Sequence, residues 1–195
     1  MTSPLKLIMP VLVTCIVAAT GLSLTYGLTA PRIAEQDRLA EERALQVVQP
    51  DADGFERVED PGLITAAGDA AGEVEVVDMF QAIEGDTPIG WAVKVNSRGY
   101  GGGMVLVIGL DTSGSTTGVT ILSMNETPGL GTKVQSEKWF LEQFAGLSGG
   151  FTDADVRALD AISGSTRSSN GVRNGVAAAG RVYAEVLSDV EGGSE

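Results

Sequence analysis

The sequence has no histidine, and its one cysteine, Cys15, lies inside a long uncharged apolar run. Without histidine the chain lacks the commonest general base and the commonest side-chain metal ligand. A single cysteine allows no internal disulfide, and it argues against zinc or iron–sulfur centres built from the chain's own thiolates. Basic residues are also scarce, at 13 Lys and Arg against 26 Asp and Glu. Only Lys6 among the charged residues precedes position 31, so the remainder carries 12 basic and 26 acidic residues, a formal charge of −14. That balance argues against nucleic acid and against docking on anionic lipid. An acidic soluble carrier would be repelled at low salt, so a fixed membrane partner is favoured.

One long stretch, Leu7 to Leu28, has no charged residue at all. At about 1.5 Å per residue a helix of that length crosses a hydrocarbon core of roughly 30 Å. The run is read as a transmembrane anchor embedded in membrane lipid. A signal peptide would have a shorter apolar region, and Pro31 after Ala30 makes a poor cleavage site. Leu12-Val13-Thr14-Cys15 faintly matches a lipoprotein box, but cleavage there would leave a long apolar tail. Lys6 and the terminal amine face Arg32, Arg38 and Arg43 across the run, so charge alone sets no orientation.

The expected organisation is an anchor over residues 1–30, a juxtamembrane helix over 31–50, one domain over 51–188 and a frayed acidic tail over 189–195. Arg32 to Val48 has Ile33, Leu39, Leu45 and Val48 among alternating charges and is ended by Pro50. Asp51 to Gly72 reads as irregular. Strands are expected at Val74–Phe80, Ile89–Val95, Met104–Leu110 and Gly118–Ser123, the second with Ile89, Trp91, Val93 and Val95 on one face. The short connections between them favour antiparallel neighbours. Ser136 is expected to cap a helix holding Trp139, Phe140, Gln143, Phe144 and Leu147. A last helix from about Ser169 to Leu187 has an apolar stripe of Val172, Val176, Ala179, Val182, Tyr183, Val186 and Leu187. The fold class is therefore α+β, a twisted antiparallel sheet with helices packed on it.

The chemistry concentrates just before that last helix, in Asp160-Ala161-Ile162-Ser163-Gly164-Ser165-Thr166-Arg167-Ser168-Ser169. The first turn of a helix has unpaired N–H groups and the positive end of the macrodipole, which together hold a phosphate well. The plain reading of such a run is a capped loop. No base and orienting group stand near the hydroxyls in the sequence, so Thr166 reads as an acceptor of modification and an independent hydrolase is disfavoured.

Asp160-x-x-Ser163-Gly164-Ser165-Thr166 resembles the flavin-attachment signature of the FMN-binding domain family, D-x-x-[ST]-G-A-[TS]. Glu126-Thr127-Pro128-Gly129-Leu130-Gly131 is similar to the family's ETPGLG loop, and Gly99-Tyr100-Gly101-Gly102-Gly103 is a weaker third match. The three stand in the family's order and, with the anchor, cover nearly the whole chain. Ser165 replaces the usual Ala, and Arg167-Ser168-Ser169 stands where the family more usually has an apolar residue followed by Thr-Ser; Ser165 thereby adds a second hydroxyl beside Thr166. The family includes the G subunit of the Rnf electron-transport complex and the C subunit of the sodium-translocating NADH:quinone reductase.

The resemblance implies FMN held covalently on Thr166 by a phosphoester bond that a separate flavin transferase makes. Asp160, Ser163, Gly164 and Ser165 would surround the attachment, with Asp160 able to position the hydroxyl or a metal in the transferase. Arg167 or Arg173 could offset the phosphate charge, and the Glu126 to Gly131 turn could present Thr127 and Leu130 to the ring. It further implies an electron-relay subunit, not catalytic alone, of an ion-translocating ferredoxin:NAD oxidoreductase of the Rnf type. Its partners would be other subunits of that membrane redox complex, and its domain would face the extracytoplasmic side of the cytoplasmic membrane. The alternatives are the quinone-reductase subunit or another FMN carrier, and, in a different class, a cofactor-free extracytoplasmic binding module.

Overall fold

The computed structural model describes the backbone from Pro4 to Glu191 and side-chain surroundings from Ile8 to Val190. The side-chain surroundings of Lys6 and the part of the expected acidic tail beyond Glu191 lie outside what is described. The chain divides into two compact units, one ending at Glu41 and the other beginning at Glu42.

The described residues of the first unit are all helical. Helix α1 runs Pro4–Val48, with Pro10 and Pro31 inside it. The segment from Arg32, expected as a separate short helix, is therefore its continuation. From Ile8 onward α1 is long and apolar enough to cross a membrane, and the large apolar side chains of the stretch up to Leu28, Leu12, Val17 and Leu24 among them, are exposed. The hydroxyls of Thr14, Thr20, Thr25 and Thr29 each donate to the carbonyl four residues earlier, at 2.8–2.9 Å. These polar groups are thus satisfied within the helix, as an apolar solvent demands.

The second unit is built on a five-stranded sheet, β1 (Gly54–Arg57), β2 (Glu75–Glu84), β3 (Thr87–Arg98), β4 (Gly103–Asp111) and β5 (Thr116–Met124). Every strand pairs antiparallel with its sequence neighbour, in the order β1-β2-β3-β4-β5. A two-residue turn, Gly85-Asp86, joins β2 to β3, with Gly85 at φ 63°, so Thr87 and Pro88 already belong to the strand. Residues 51–72, expected to be irregular, contain β1 and helix α2 (Pro61–Ala71). Asp60 caps α2 by accepting from the Gly62 and Leu63 N–H groups, and Pro61 opens it. That is a strong start signal followed by a buried face of Ala67, Ala70 and Ala71, too small to stand out as an apolar stripe.

Helix α6 (Thr166–Val182) and α2 cover one face of the sheet, where Trp91, Val93 and Val95 of β3 and Leu106 and Ile108 of β4 meet Val172, Val176 and Val182. Gly171 and Gly175 allow α6 to sit close. A Cβ at Gly171 would stand 2.9 Å from the Arg98 carbonyl, and the buried Ser97 hydroxyl donates to the Gly171 carbonyl at 2.7 Å. On the other face Ala44, Leu45 and Val48 pack against Phe80, Ala92 and Val107. There the buried Gln49 amide donates to the Trp91 and Leu110 carbonyls at 3.0 and 2.8 Å.

Between β5 and α6 lie α3 (Lys133–Ser136), α4 (Lys138–Glu142) and α5 (Asp153–Ala158). Ser136 ends α3 and does not cap a helix, because Glu137 takes extended dihedrals between two short turns. Phe140 and Phe144 are fully buried at 5.4 Å edge to face, whereas Trp139 is 45% exposed. Beyond Val182 the last helix widens into a π turn, Tyr183–Leu187, and ends as α7 (Ser188–Glu191). All seven residues of its expected apolar stripe are buried.

Candidate functional site

Two glycine turns of the same kind meet beside the start of α6. In the first, the Leu130 N–H donates to the Thr127 carbonyl at 3.2 Å, with Pro128 and then Gly129 at φ 79° between them. A left-handed third residue after proline is the type II arrangement, and it requires glycine there. The Thr132 hydroxyl accepts from the Gly129 N–H at 2.9 Å and holds the turn. In the second, the Ser165 N–H donates to the Ile162 carbonyl at 2.9 Å across Ser163 and Gly164, again with glycine at φ 79°. The closing residues of the two turns are tied together, because the buried Ser165 hydroxyl donates to the Leu130 carbonyl.

Glu126 adds the third segment. Its Oε1 accepts from the Tyr100 and Gly101 N–H groups at 2.7 and 3.3 Å, and its Oε2 accepts from the buried Ser168 hydroxyl at 3.0 Å. One carboxylate thus joins the loop between β3 and β4, the turn after β5 and the first turn of α6. The neighbouring glycines are there for it: a Cβ on Gly99 or Gly131 would overlap the Glu126 carboxylate, and one on Gly101 would overlap the Asn125 carbonyl.

Thr166 is the first residue of α6 and is exposed. The first main-chain bond of the helix runs from the Ser169 N–H to the Ser165 carbonyl at 2.9 Å. Among the described residues no acceptor pairs with the N–H groups of Thr166, Arg167 or Ser168. The Ser165 side chain does not cap them, being turned toward Leu130. Around them Tyr100 is 68% and Leu130 53% exposed, and the Arg167 guanidinium lies 6.0 Å from the centre of the Tyr100 ring. Free N–H donors suit a phosphate, and exposed apolar side chains beside them suit a flat ring.

The other residues singled out in the sequence have plainer surroundings. Ser163, Gly164 and Thr127 are exposed. Asp160 is held by its main chain, with its N–H donating to Gln143 Oε1 at 2.9 Å and its carbonyl accepting from Gln143 Nε2 at 3.0 Å. Ser169 Oγ accepts from the Ile162 N–H at 3.1 Å and closes the loop from inside. Arg173 is engaged elsewhere, donating to the Leu159 carbonyl and to Asn170 Oδ1 at 3.2 Å. Gln143 carries no motif signature, and its contacts, like that of Ser168 with Glu126, appear only in the fold. Among the described residues no group of three or more acidic or cysteine side chains could hold a metal.

The family model of the FMN-binding domain matches residues 99–180, which begins with the glycine loop and takes in both turns and most of α6. Over 178 residues the chain is 34% identical to the G subunit of the Na(+)-translocating ferredoxin:NAD(+) oxidoreductase complex of Acetobacterium woodii, covering 86% of this chain and 85% of that one. The chain belongs to the FMN-binding domain family. Within that family it is also 31% identical to the G subunit of the ion-translocating oxidoreductase complex of Shewanella amazonensis, over 65% of this chain and 60% of that one. It is 26% identical to the G subunit of the proton-translocating ferredoxin:NAD(+) oxidoreductase complex of Clostridium ljungdahlii, over 84% and 83%. The fold is shared with the C subunit of the Na(+)-translocating NADH-quinone reductase of Parabacteroides distasonis, with a TM-score of 0.54, 20% identity, and 80% of this chain and 95% of that one covered.

Proposed function

We propose that this chain is an electron-relay subunit of an ion-translocating ferredoxin:NAD oxidoreductase complex, carrying FMN on Thr166 through a phosphoester bond. The observation that carries the reading is the exposed Thr166 hydroxyl on the opening turn of α6, beside three main-chain N–H groups without a protein acceptor. The kinship with G subunits of such complexes supports the assignment to a relay. FMN, when bound, supplies the electron-accepting and electron-donating ring that the polypeptide lacks.

The chain's own groups do the placing. The N–H groups of Thr166, Arg167 and Ser168, with the helix dipole behind them, stabilise the diester charge, and the Arg167 guanidinium adds a counter-charge. Tyr100 and Leu130 offer apolar surface to the ring. Ser165 does not compete for attachment, because its hydroxyl is buried and donates to the Leu130 carbonyl. Helix α1 anchors the subunit in the membrane, and a flavin transferase matures it on the extracytoplasmic side. The partners are the other subunits of the complex.

The test is mass spectrometry of the peptide spanning Asp160 to Arg173, from protein made together with the transferase, alongside ultraviolet fluorescence of the denatured band. Wild type is expected to carry the adduct on Thr166 and Thr166→Val to be dark. Fluorescence that survives Thr166→Val puts the ester elsewhere, and a wild-type chain with no adduct ends the reading.

A further inference from the structure

We propose that Glu126 is the positioning residue of the flavin site, and that its carboxylate assembles the three flavin-facing segments before any flavin arrives. This rests on the FMN reading but concerns contacts within the chain alone. The two type II turns each close by their own main chain, and the loop between β3 and β4 closes by the Gly99 N–H to Gly102 carbonyl bond at 2.8 Å. None of these bonds sets one segment against another. The hydrogen bonds that do are the Ser165 hydroxyl on Leu130 and the three donors converging on Glu126, beside the looser stacking of the Arg167 guanidinium 6.0 Å from the Tyr100 ring.

The glycines give the same answer from the other side. Gly99 and Gly131 lack a side chain where the Glu126 carboxylate lies, and Gly101 lacks one where the Asn125 carbonyl passes. The glycine loop is therefore shaped to admit Glu126 and its chain neighbour, which is a different reason from flexibility or from clearance for a ligand. Tyr100, the residue it presents, is held through its N–H by Glu126 and remains 68% exposed through its ring. Its backbone is fixed while its side chain stays available.

A carboxylate here acts by shape, since it accepts from two main-chain N–H groups on one oxygen and from a hydroxyl on the other. Glutamine keeps this, its Oε1 accepting from Tyr100 and Gly101 and its Nε2 donating to Ser168 Oγ. Alanine removes all three contacts.

The experiment uses the full chain in detergent, made with the flavin transferase for occupancy and as Thr166→Val for amide hydrogen exchange. Glu126→Ala is expected to lower FMN occupancy at least tenfold and, in the Thr166→Val chain, to speed exchange of the Tyr100 and Gly101 amides at least tenfold. Glu126→Gln is expected to keep more than half of both occupancy and protection. Gly131→Ala, which displaces the carboxylate without removing its charge, covers the case in which Glu126→Ala does not fold, and is expected to expose the same two amides. Wild-type protection in Glu126→Ala or in Gly131→Ala overturns the proposal. So does a loss in Glu126→Gln as large as in Glu126→Ala, which would assign the effect to charge. If the wild-type chain carries no flavin, the FMN reading fails, while the exchange measurements still decide the role of Glu126.

Discussion

Replacing Gly171 with alanine sets two effects of opposite sign against each other. In a helix interior alanine is preferred over glycine by about 1 kcal/mol. At this position, however, the new methyl would stand 2.9 Å from the Arg98 carbonyl oxygen and 3.3 Å from the Arg98 carbonyl carbon and Gly99 Cα. All three are backbone atoms of β3 and its exit, so no rotamer change relieves the contact. The first turns of α6 must move off the sheet, which stretches the buried 2.7 Å bond from the Ser97 hydroxyl to the Gly171 carbonyl. Overpacking costs about 1–3 kcal/mol and a weakened buried hydrogen bond about 1 kcal/mol more. Packing therefore wins by about 1–3 kcal/mol. For a unit of this size that lowers Tm by roughly 3–10 °C. Gly68 in α2 is the matched control, because it is exposed, helical and has nothing within 4 Å of its added Cβ. Gly68→Ala should raise Tm by roughly 2–3 °C from propensity alone. The assay is thermal unfolding of the full chain in detergent, followed by tryptophan fluorescence and circular dichroism. A Gly171→Ala protein as stable as Gly68→Ala would refute the close approach of α6 to the β3 exit, and with it the placement of Thr166.

Other substitutions test separate contacts. Ser165→Ala removes the bond to the Leu130 carbonyl and should cost about 1 kcal/mol in denaturant unfolding, while the Thr166 peptide should still show the FMN adduct by mass. Arg181 donates to the Ala70 and Ala71 carbonyls at the end of α2, at 3.0 and 2.9 Å, and pairs with Asp153 at 2.5 Å. Arg181→Met should therefore lower stability by about 1–2 kcal/mol, and amides of α2 should exchange faster than those of β3. The main-chain N–H and the hydroxyl of Thr152, in that order, hold the Asp155 carboxyl below the usual aspartate range. Because its folded value is the lower one, its contribution is full above the ordinary aspartate pKa and is lost as pH falls through the folded value. An acid unfolding titration of Asp155→Asn should show a shallower pH dependence in that range, with its stability deficit against wild type constant toward neutrality and shrinking as pH falls.

The central strands announce themselves because alternation and continuous apolar runs survive translation into β2 to β5, and the buried stripe of α6 does so because valines recur at helical spacing. Helix α2 does not, since its buried face is alanine and the pattern depends on larger side chains, although Asp60-Pro61 marks its start. At Ser136 and Glu137 the helical spacing of the aromatics suggests one helix where the backbone breaks into two. The motif residues of the candidate site are visible one by one in the sequence, but their joints are not. Gln143 clasping Asp160, Ser168 reaching Glu126 and Ser165 reaching Leu130 connect residues 17, 42 and 35 positions apart. No local rule links partners at such separations, and a serine in a first helical turn reads the same whether it caps or not.

The neighbour-only pairing of the sheet governs the order in which the protein can be finished. The hairpins from β2 to β5 close quickly as each strand becomes available, with short loops to zip. The surface around Thr166 cannot, because it needs residues from β3's exit, β5's exit and the opening of α6 at once. During synthesis that surface comes into being only when the final third of the chain has docked. A modifying enzyme that reads it by shape would pass over nascent and half-folded chains.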